Sequence, residues 1–334
     1  MSENSKEADK QMQKKIFISA DGFLAVFELL PPRQLGLGIA LISHRFDCYV
    51  DEHFKTRRWS LENILIVSKI GENSATGMEI ISVRGQSLPI PKEPMPKKVI
   101  GFAQLFISYI DQNVIEFLCR CSSLFANCAI HLVVQIKNDR ILEFVLRDIW
   151  PLLKDGIRGL QFVHPSDLRH LRRFGHSSIL SDCPSLRFVL SYCDVSSEFP
   201  SDGSANALDG QPIAKWLFSP HPNAVPKVLK CYFCDQNKWP SKIEGLKAAF
   251  SSASSRADFI IVILRLMSNS VMPFDLANEL TGERLTLKSA NDNGAFMLIR
   301  CPISRDENKW TNWEKEAIEW NFNEQWNEIT ISIE

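Results

Sequence analysis

The sequence predicts an α/β chain: a small N-terminal unit of three helices, then an irregular β/α repeat-like domain that ends in a β meander and a tryptophan-rich helix. Three observations carry this. Apolar residues recur at helical spacing between residues 20 and 59. Beyond residue 99, short β-like runs alternate with helix-like runs at a step of roughly 30 residues. After Ser270 the runs are separated only by short Gly- and Asn-containing turns, too short for a crossover. At 334 residues, 45% hydrophobic and 23% charged, the chain has material for about two folded cores, which excludes collagen and wholesale disorder.

Residues 1–15 are polar and charged without an apolar period and are expected to form a disordered arm. Residues 16–60 make the helical unit. Phe23, Leu24, Phe27 and Leu30 mark the first helix, with Asp21 near its positive end, and Pro31-Pro32 stops it. Leu35, Leu37 and Ile39–Ile42 mark a second helix; Phe46, Tyr49, Val50 and Phe54 mark a third over Arg45–Trp59. Such a unit is marginal alone and should lean on something.

Residues 61–98 read as short strands around the turn Gly71–Ser74, then a connector stiffened by Pro89, Pro91, Pro94 and Pro96. In residues 99–270, strands are expected near Phe102–Ser108, Ile130–Ile136, Gly159–Val163, Leu186–Leu190, Lys227–Phe233 and Phe259–Leu264. Candidate helices between them are Gln112–Phe125, Arg140–Leu153, Pro165–Leu180, Ala214–Phe218 and Ser241–Ser251. Strand, helix, strand at this spacing argues for parallel β with crossover helices. An irregular solenoid of leucine-rich-repeat type is favoured, with its strand-lined face as the docking surface and the Ser-, Asp- and Gly-rich loop Ser196–Gly210 at its rim; a doubly wound sheet satisfies the same pattern.

Residues 271–334 read as strands near Val271–Leu276, Arg284–Lys288 and Phe296–Arg300, a helix over Asp306–Gln325, and a last strand through Ile329, Ile331 and Ile333. Trp310, Trp313, Ala317 and Trp320, with Trp326 beyond, form an aromatic stripe read first as core and second as a ligand groove. Glu314, Lys315, Glu316 and Glu319 on the opposite face are expected to be solvated.

A net charge of -1 gives no general pull toward nucleic acid or anionic lipid, and residues 270–334, with six basic against twelve acidic side chains, disfavour a nucleic-acid reader. No stretch has the apolar length of a membrane helix, and the N-terminal residues lack the apolar core of a secretory signal. The expected location is the cytoplasm, the nucleus or both. Nine cysteines fit reduced, mostly buried thiols there.

Chemistry is sparsely signalled. Cys231 and Cys234 have the gap of a zinc knuckle or redox pair, but no second tight pair supplies four ligands, and their segment reads as a buried strand. Cys119, Cys121 and Cys128 lie close together in sequence. The seven histidines make no HExxH; there is no GxSxG elbow or Walker loop, and Gly36-Leu37-Gly38 lacks the third glycine and the preceding strand of a dinucleotide fingerprint. No catalytic residue, metal or cofactor is expected.

The segment from Ala20 through Phe23, Leu24, Phe27, Leu30, Pro32 and Leu35, continued by Ile39–Phe46 and closed by Trp59, resembles an F-box, with Ser19-Ala20 where that pattern has Leu-Pro. Leu280–Leu285, Arg300–Ile303 and Lys309–Glu316 resemble the C-terminal region of an expanded set of F-box proteins from plant-parasitic nematodes. The resemblance implies a non-catalytic substrate-recognition subunit that docks on a Skp-type adaptor, and through it a cullin ubiquitin ligase, while the C-terminal domain holds a protein substrate. It places adaptor contacts at Phe23, Leu24, Phe27, Pro32, Leu35, Ile42, Ser43 and Arg45, about half of which would equally serve the helix–helix core. The alternatives are a scaffold or binding module outside any ligase, and an enzyme with an unrecognised site on the α/β domain.

Overall fold

A computed structural model of the chain describes residues 18–67, 77–79, 90–136, 138–163, 179–192, 194–199, 211–232, 238–264, 272–290 and 295–333. The chain divides into two compact units, Met1–Trp59 and Ser60–Glu334.

In the first unit, helix α1 (Ala20–Phe27) begins where extended Ser19 accepts a hydrogen bond from the Gly22 N–H through its hydroxyl, at 3.2 Å. Serine is a strong N-cap, so the departure from Leu-Pro has a local structural use. Proline at the first position opens the short α2 (Pro32–Gln34), which runs on through a π turn (Leu35–Ile39) and a 3-10 turn (Ala40–Ile42). Helix α3 (His44–Thr56) ends before Trp59, which opens a strand instead of closing the helix. Phe27, Leu35 and Val50 are buried at the centre, with Phe23, Leu24, Leu30, Ile39, Phe46, Tyr49 and Phe54 packed around them.

The second unit is mixed α/β and is built on a twelve-stranded sheet: β1 (Trp59–Val67), β2 (Gly77–Glu79), β3 (Val99–Ile107), β4 (Ile130–Ile136), β5 (Ile157–Phe162), β6 (Phe188–Ser191), β7 (Lys227–Cys231), β8 (Phe259–Ile263), β9 (Phe274–Asn278), β10 (Glu283–Ser289), β11 (Phe296–Pro302) and β12 (Glu328–Ile333). Their order is β2-β1-β3-β12-β4-β5-β6-β7-β8-β11-β10-β9. From β4 to β8 the strands are parallel and lie side by side in chain order. The meander β9-β10-β11 adds antiparallel to β8. The last strand, β12, is inserted parallel between β3 and β4.

Helices α4 (Gln112–Arg120) and α5 (Ser122–Asn127) join β3 to β4, replacing the single expected helix. The chain breaks at Cys121, whose N–H is shared between the Phe117 and Leu118 carbonyls. Helices α6 (Asp139–Phe144) and α7 (Trp150–Leu153), bridged by a π turn, follow β4; α8 (Pro212–Phe218) precedes β7 and α9 (Trp239–Ser251) precedes β8. The expected helix at 165–180 lies outside the described residues except for Ile179 and Leu180, as do the turn at 71–74, the expected strand residues 80–83, and 200–210 of the Ser-rich loop.

Register explains where the core sits. Phe188, Val228, Ile260 and Ile299 are neighbours in one row across β6, β7, β8 and β11, and Val189, Leu229, Ile261 and Leu298 form the next row, facing the other way. Both rows are buried, so β8 reads FIIVI without alternation. The first row is covered by helix α10 (Glu307–Glu319): Trp310, Trp313, Ala317, Ile318 and Trp320 pack on it. This bears out the core reading of the aromatic stripe for those residues and corrects two other expectations. The sheet face offered by β6–β8 is occupied by the chain's own C-terminal segment and is not an open docking surface. Nor is the polar side of the helix uniformly solvated. Buried Glu314 accepts from Lys288 Nζ at 2.6 Å and Arg305 Nη1 at 3.0 Å, and Glu316 takes both Nη atoms of Arg187 at 2.9 and 2.6 Å, while Lys315 and Glu319 remain exposed. A helix lying flat on a wide sheet brings its flanks within reach of charged strand residues.

The helix ends at Glu319, short of Gln325, because Lys230 takes the Ile318 and Trp320 carbonyls and Asn321 caps a separate 3-10 turn, Phe322–Glu324. No helix among the described residues is long and apolar enough to cross a membrane.

Candidate functional site

The first unit spends its best apolar residues internally and still has a surplus. Phe27 and Leu35 are buried and Phe23 and Leu24 are half-buried against the same cluster, so these four residues hold the unit together. Pro32 is half-buried; Ile42, Ser43 and Arg45 are exposed. The sequence-derived contact set therefore separates into an inner half that shapes the unit and an outer half that can touch a partner.

The outer half is joined by residues that the resemblance did not place among the contacts. Leu29 is 82% exposed, Leu41 77%, Leu37 62% and Val26 51%, beside Ile42 at 62%. Together with Ile18 they supply six of the eleven exposed large apolar side chains among the described residues, although this stretch is a small part of the chain. Single exposed leucines need no explanation, but this concentration does. Helical spacing does not give this away: Val26 lies three residues from Phe23 and would share its stripe, so the packing and not the period leaves it outside.

The same unit carries several polar groups. Arg45 donates from Nε to the Tyr49 hydroxyl at 2.9 Å and lies over that ring at 5.4 Å, which holds its guanidinium beside α3. Ser43 is extended and makes no side-chain cap to α3. Arg57 pairs with Glu28 at 3.1 Å. His53 is buried between the rings of Phe27 and Phe54, and its Nδ1 has no hydrogen-bond partner. Burial holds its pKa below the ordinary value; Glu28 opposes that shift and Arg57 adds to it.

The residues considered for chemistry are dispersed. Cys231 is buried in β7, and Cys234 lies outside the described residues. Burial pushes the Cys121 thiol up to about 12 and the Cys128 thiol up to about 11, away from a reactive thiolate. Among the described residues, no group of three or more His, Cys, Asp or Glu side chains is arranged to hold a metal ion. Gly36-Leu37-Gly38 forms part of the π turn. His164, His170 and His176 are outside the described residues. Comparison with protein families, characterised proteins and solved structures returned no match.

Proposed function

We propose that this protein is a non-catalytic adaptor: a substrate-recognition subunit of a Skp/cullin/F-box ubiquitin ligase, with residues 20–59 as the docking unit and the C-terminal unit as the holder of a protein substrate. The observation that carries the reading is that Val26, Leu29, Leu37, Leu41 and Ile42 are all exposed, on a helical unit whose core is already complete without them. A surface of that kind is stabilised when a partner's groove removes it from water. The F-box resemblance supplies the partner's identity, and the in-order parallel strands of β4–β8 support an irregular leucine-rich-repeat-like holder. An intracellular setting, cytoplasmic or nuclear, follows from the same reading.

The test is co-expression with a Skp-type adaptor. The wild-type chain should elute as a stoichiometric complex, and the double variant Leu41→Asp/Ile42→Asp should not, while keeping its circular dichroism. Phe27→Asp is unsuited to this purpose, because it places a charge in the core and loses the fold along with the complex. A folded wild-type chain that forms no complex would move the scaffold reading to first place.

A further inference from the structure

The core of the helical unit holds one residue that is not apolar. Among residues 18–59 four side chains are buried: Phe27, Leu35, Val50 and His53. Three are hydrocarbon; the fourth can take up a proton. We infer that His53 is a proton-operated release: an imidazolium at this position opens the packing of α3 on α1, and so gives the helical unit a response to acid that is its own and not that of the sheet unit.

The helical period puts the imidazole there. Phe46, Val50 and His53 fall at four- and three-residue steps along α3, on the stripe that packs against α1. His53 is 4% exposed; its ring meets that of Phe27 edge to face at 6.0 Å and that of Phe54 at 5.9 Å. Phe27 is itself buried at the centre of the unit, so the imidazole touches the residue on which the packing converges. A leucine would fill the same place without a polar atom. The imidazole has two, and one of them, Nδ1, is buried without a hydrogen-bond partner. The neutral ring tolerates this by keeping its proton on Nε2. The charged ring must carry a proton on both nitrogens, and the one on Nδ1 then has no acceptor in apolar surroundings.

Nearby charges do not rescue the imidazolium. Glu28, the C-cap of α1, favours a cation at His53, and Arg57, the C-cap of α3, opposes one; the two are exposed and pair with each other at 3.1 Å. Burial therefore remains the largest influence and holds the pKa of His53 below 6.5. When α3 comes away from α1 the ring reaches water and recovers its ordinary basicity. The open unit thus binds the proton in preference to the closed one, and each pH unit below 6.5 raises the open fraction by up to about tenfold until the closed form itself titrates. A unit with so few buried side chains has little stability to set against that gain. His131 and His221 belong to the sheet unit, where their protons act on a different and larger core. This inference does not rest on the adaptor reading.

Hydrogen–deuterium exchange of the full-length chain, corrected for the intrinsic effect of pH on amide exchange, tests it. Between about pH 7 and about pH 5.5, peptides from α1 and α3 should lose roughly four- to eightfold in protection. In the His53→Leu chain those peptides should keep their protection, while peptides from β5–β8 respond to pH as they do in the wild type. Carbon-13 labelling of histidine gives a second reading that does not depend on how the variant folds: the His53 ring, assigned through its contact with the Phe27 ring, should titrate below 6.5 in the wild-type chain. Wild-type protection of α1 and α3 that is indifferent to pH, an equal loss in the His53→Leu chain, or a His53 ring that titrates at 6.5 or above would overturn the proposal.

Discussion

Individual residues show how closely the sheet and its covering segment are matched. Gly159 lies opposite His131 and Phe188 in register, and a β-carbon there would meet His131 Cδ2 at 2.6 Å and Trp320 Cζ2 at 3.2 Å. The missing side chain lets Trp320 stack on Phe188 at 4.6 Å with its ring nearly parallel. Glu283 and Arg300, almost wholly buried, pair at 2.6 Å and also satisfy the Ala257 N–H and the Ser255 carbonyl. Three histidines set a pH dependence. Burial is the largest influence lowering the pKa of His53, His131 and His221 from 6.5. The unfolded imidazoles take up protons more readily than the folded ones, so acidification favours the unfolded chain. Urea unfolding should show stability falling between about pH 7.5 and pH 5.5, above the range where most carboxylates titrate, and His53→Leu should remove part of that slope.

Among the elements, β12 carries the most consequence. It supplies the shared neighbour of β3 and β4, and its Ile329 and Ile331 are fully buried. Without it, two strands of an extended sheet have unpaired edges that invite association. Ile331→Asp should cost at least about 4 kcal/mol, the lost burial and the buried charge together, and leave the chain in the insoluble fraction on expression. Ile333→Asp, at the half-buried end of the strand, should be much milder, and a soluble, cooperatively melting Ile331→Asp chain would show that β12 is dispensable. Helix α10 and the strap to Asn327 depend on the same insertion, because the Asn327–Phe102 bonds and the Trp326–His131 bond sit at its start.

For the molecule as a whole, the division into a small helical unit and a large sheet unit separates two kinds of stability. Residues 18–59 have a core centred on three buried apolar side chains, whereas β4–β8 are buried on both faces. Backbone amides of α1 and α3 should therefore exchange with deuterium well before those of β5–β8, and on the proposed adaptor reading a Skp-type adaptor should slow the first group selectively. Equal protection of both groups in the free chain would contradict that ranking.

Much of the architecture was legible from residues. Ile130–Ile136 is a strand as read, the starts of β7 and β8 fall where Lys227 and Phe259 predict them, and alternation at Ile329, Ile331 and Ile333 marks a strand tied into a sheet. Local pattern suffices there, because strand and helix periods are properties of neighbouring residues. Pattern also indicated that the helical unit has more apolar groups than it can hide, but not which ones stay outside: burial chose Phe27 and Leu35 for the core and left Leu29, Leu41 and Ile42 in water. The order of strands, the insertion of β12 between β3 and β4, and the covering of the β6–β8 face by α10 were decided only in three dimensions. So was the packing of His53 on Phe27 of another helix; long-range pairing leaves no periodic trace in a single chain. Sequence by itself determined which segments become strands and helices; tertiary structure determined which apolar and charged groups they leave unsatisfied, because burial is a property of the partner that arrives and not of the residue that waits.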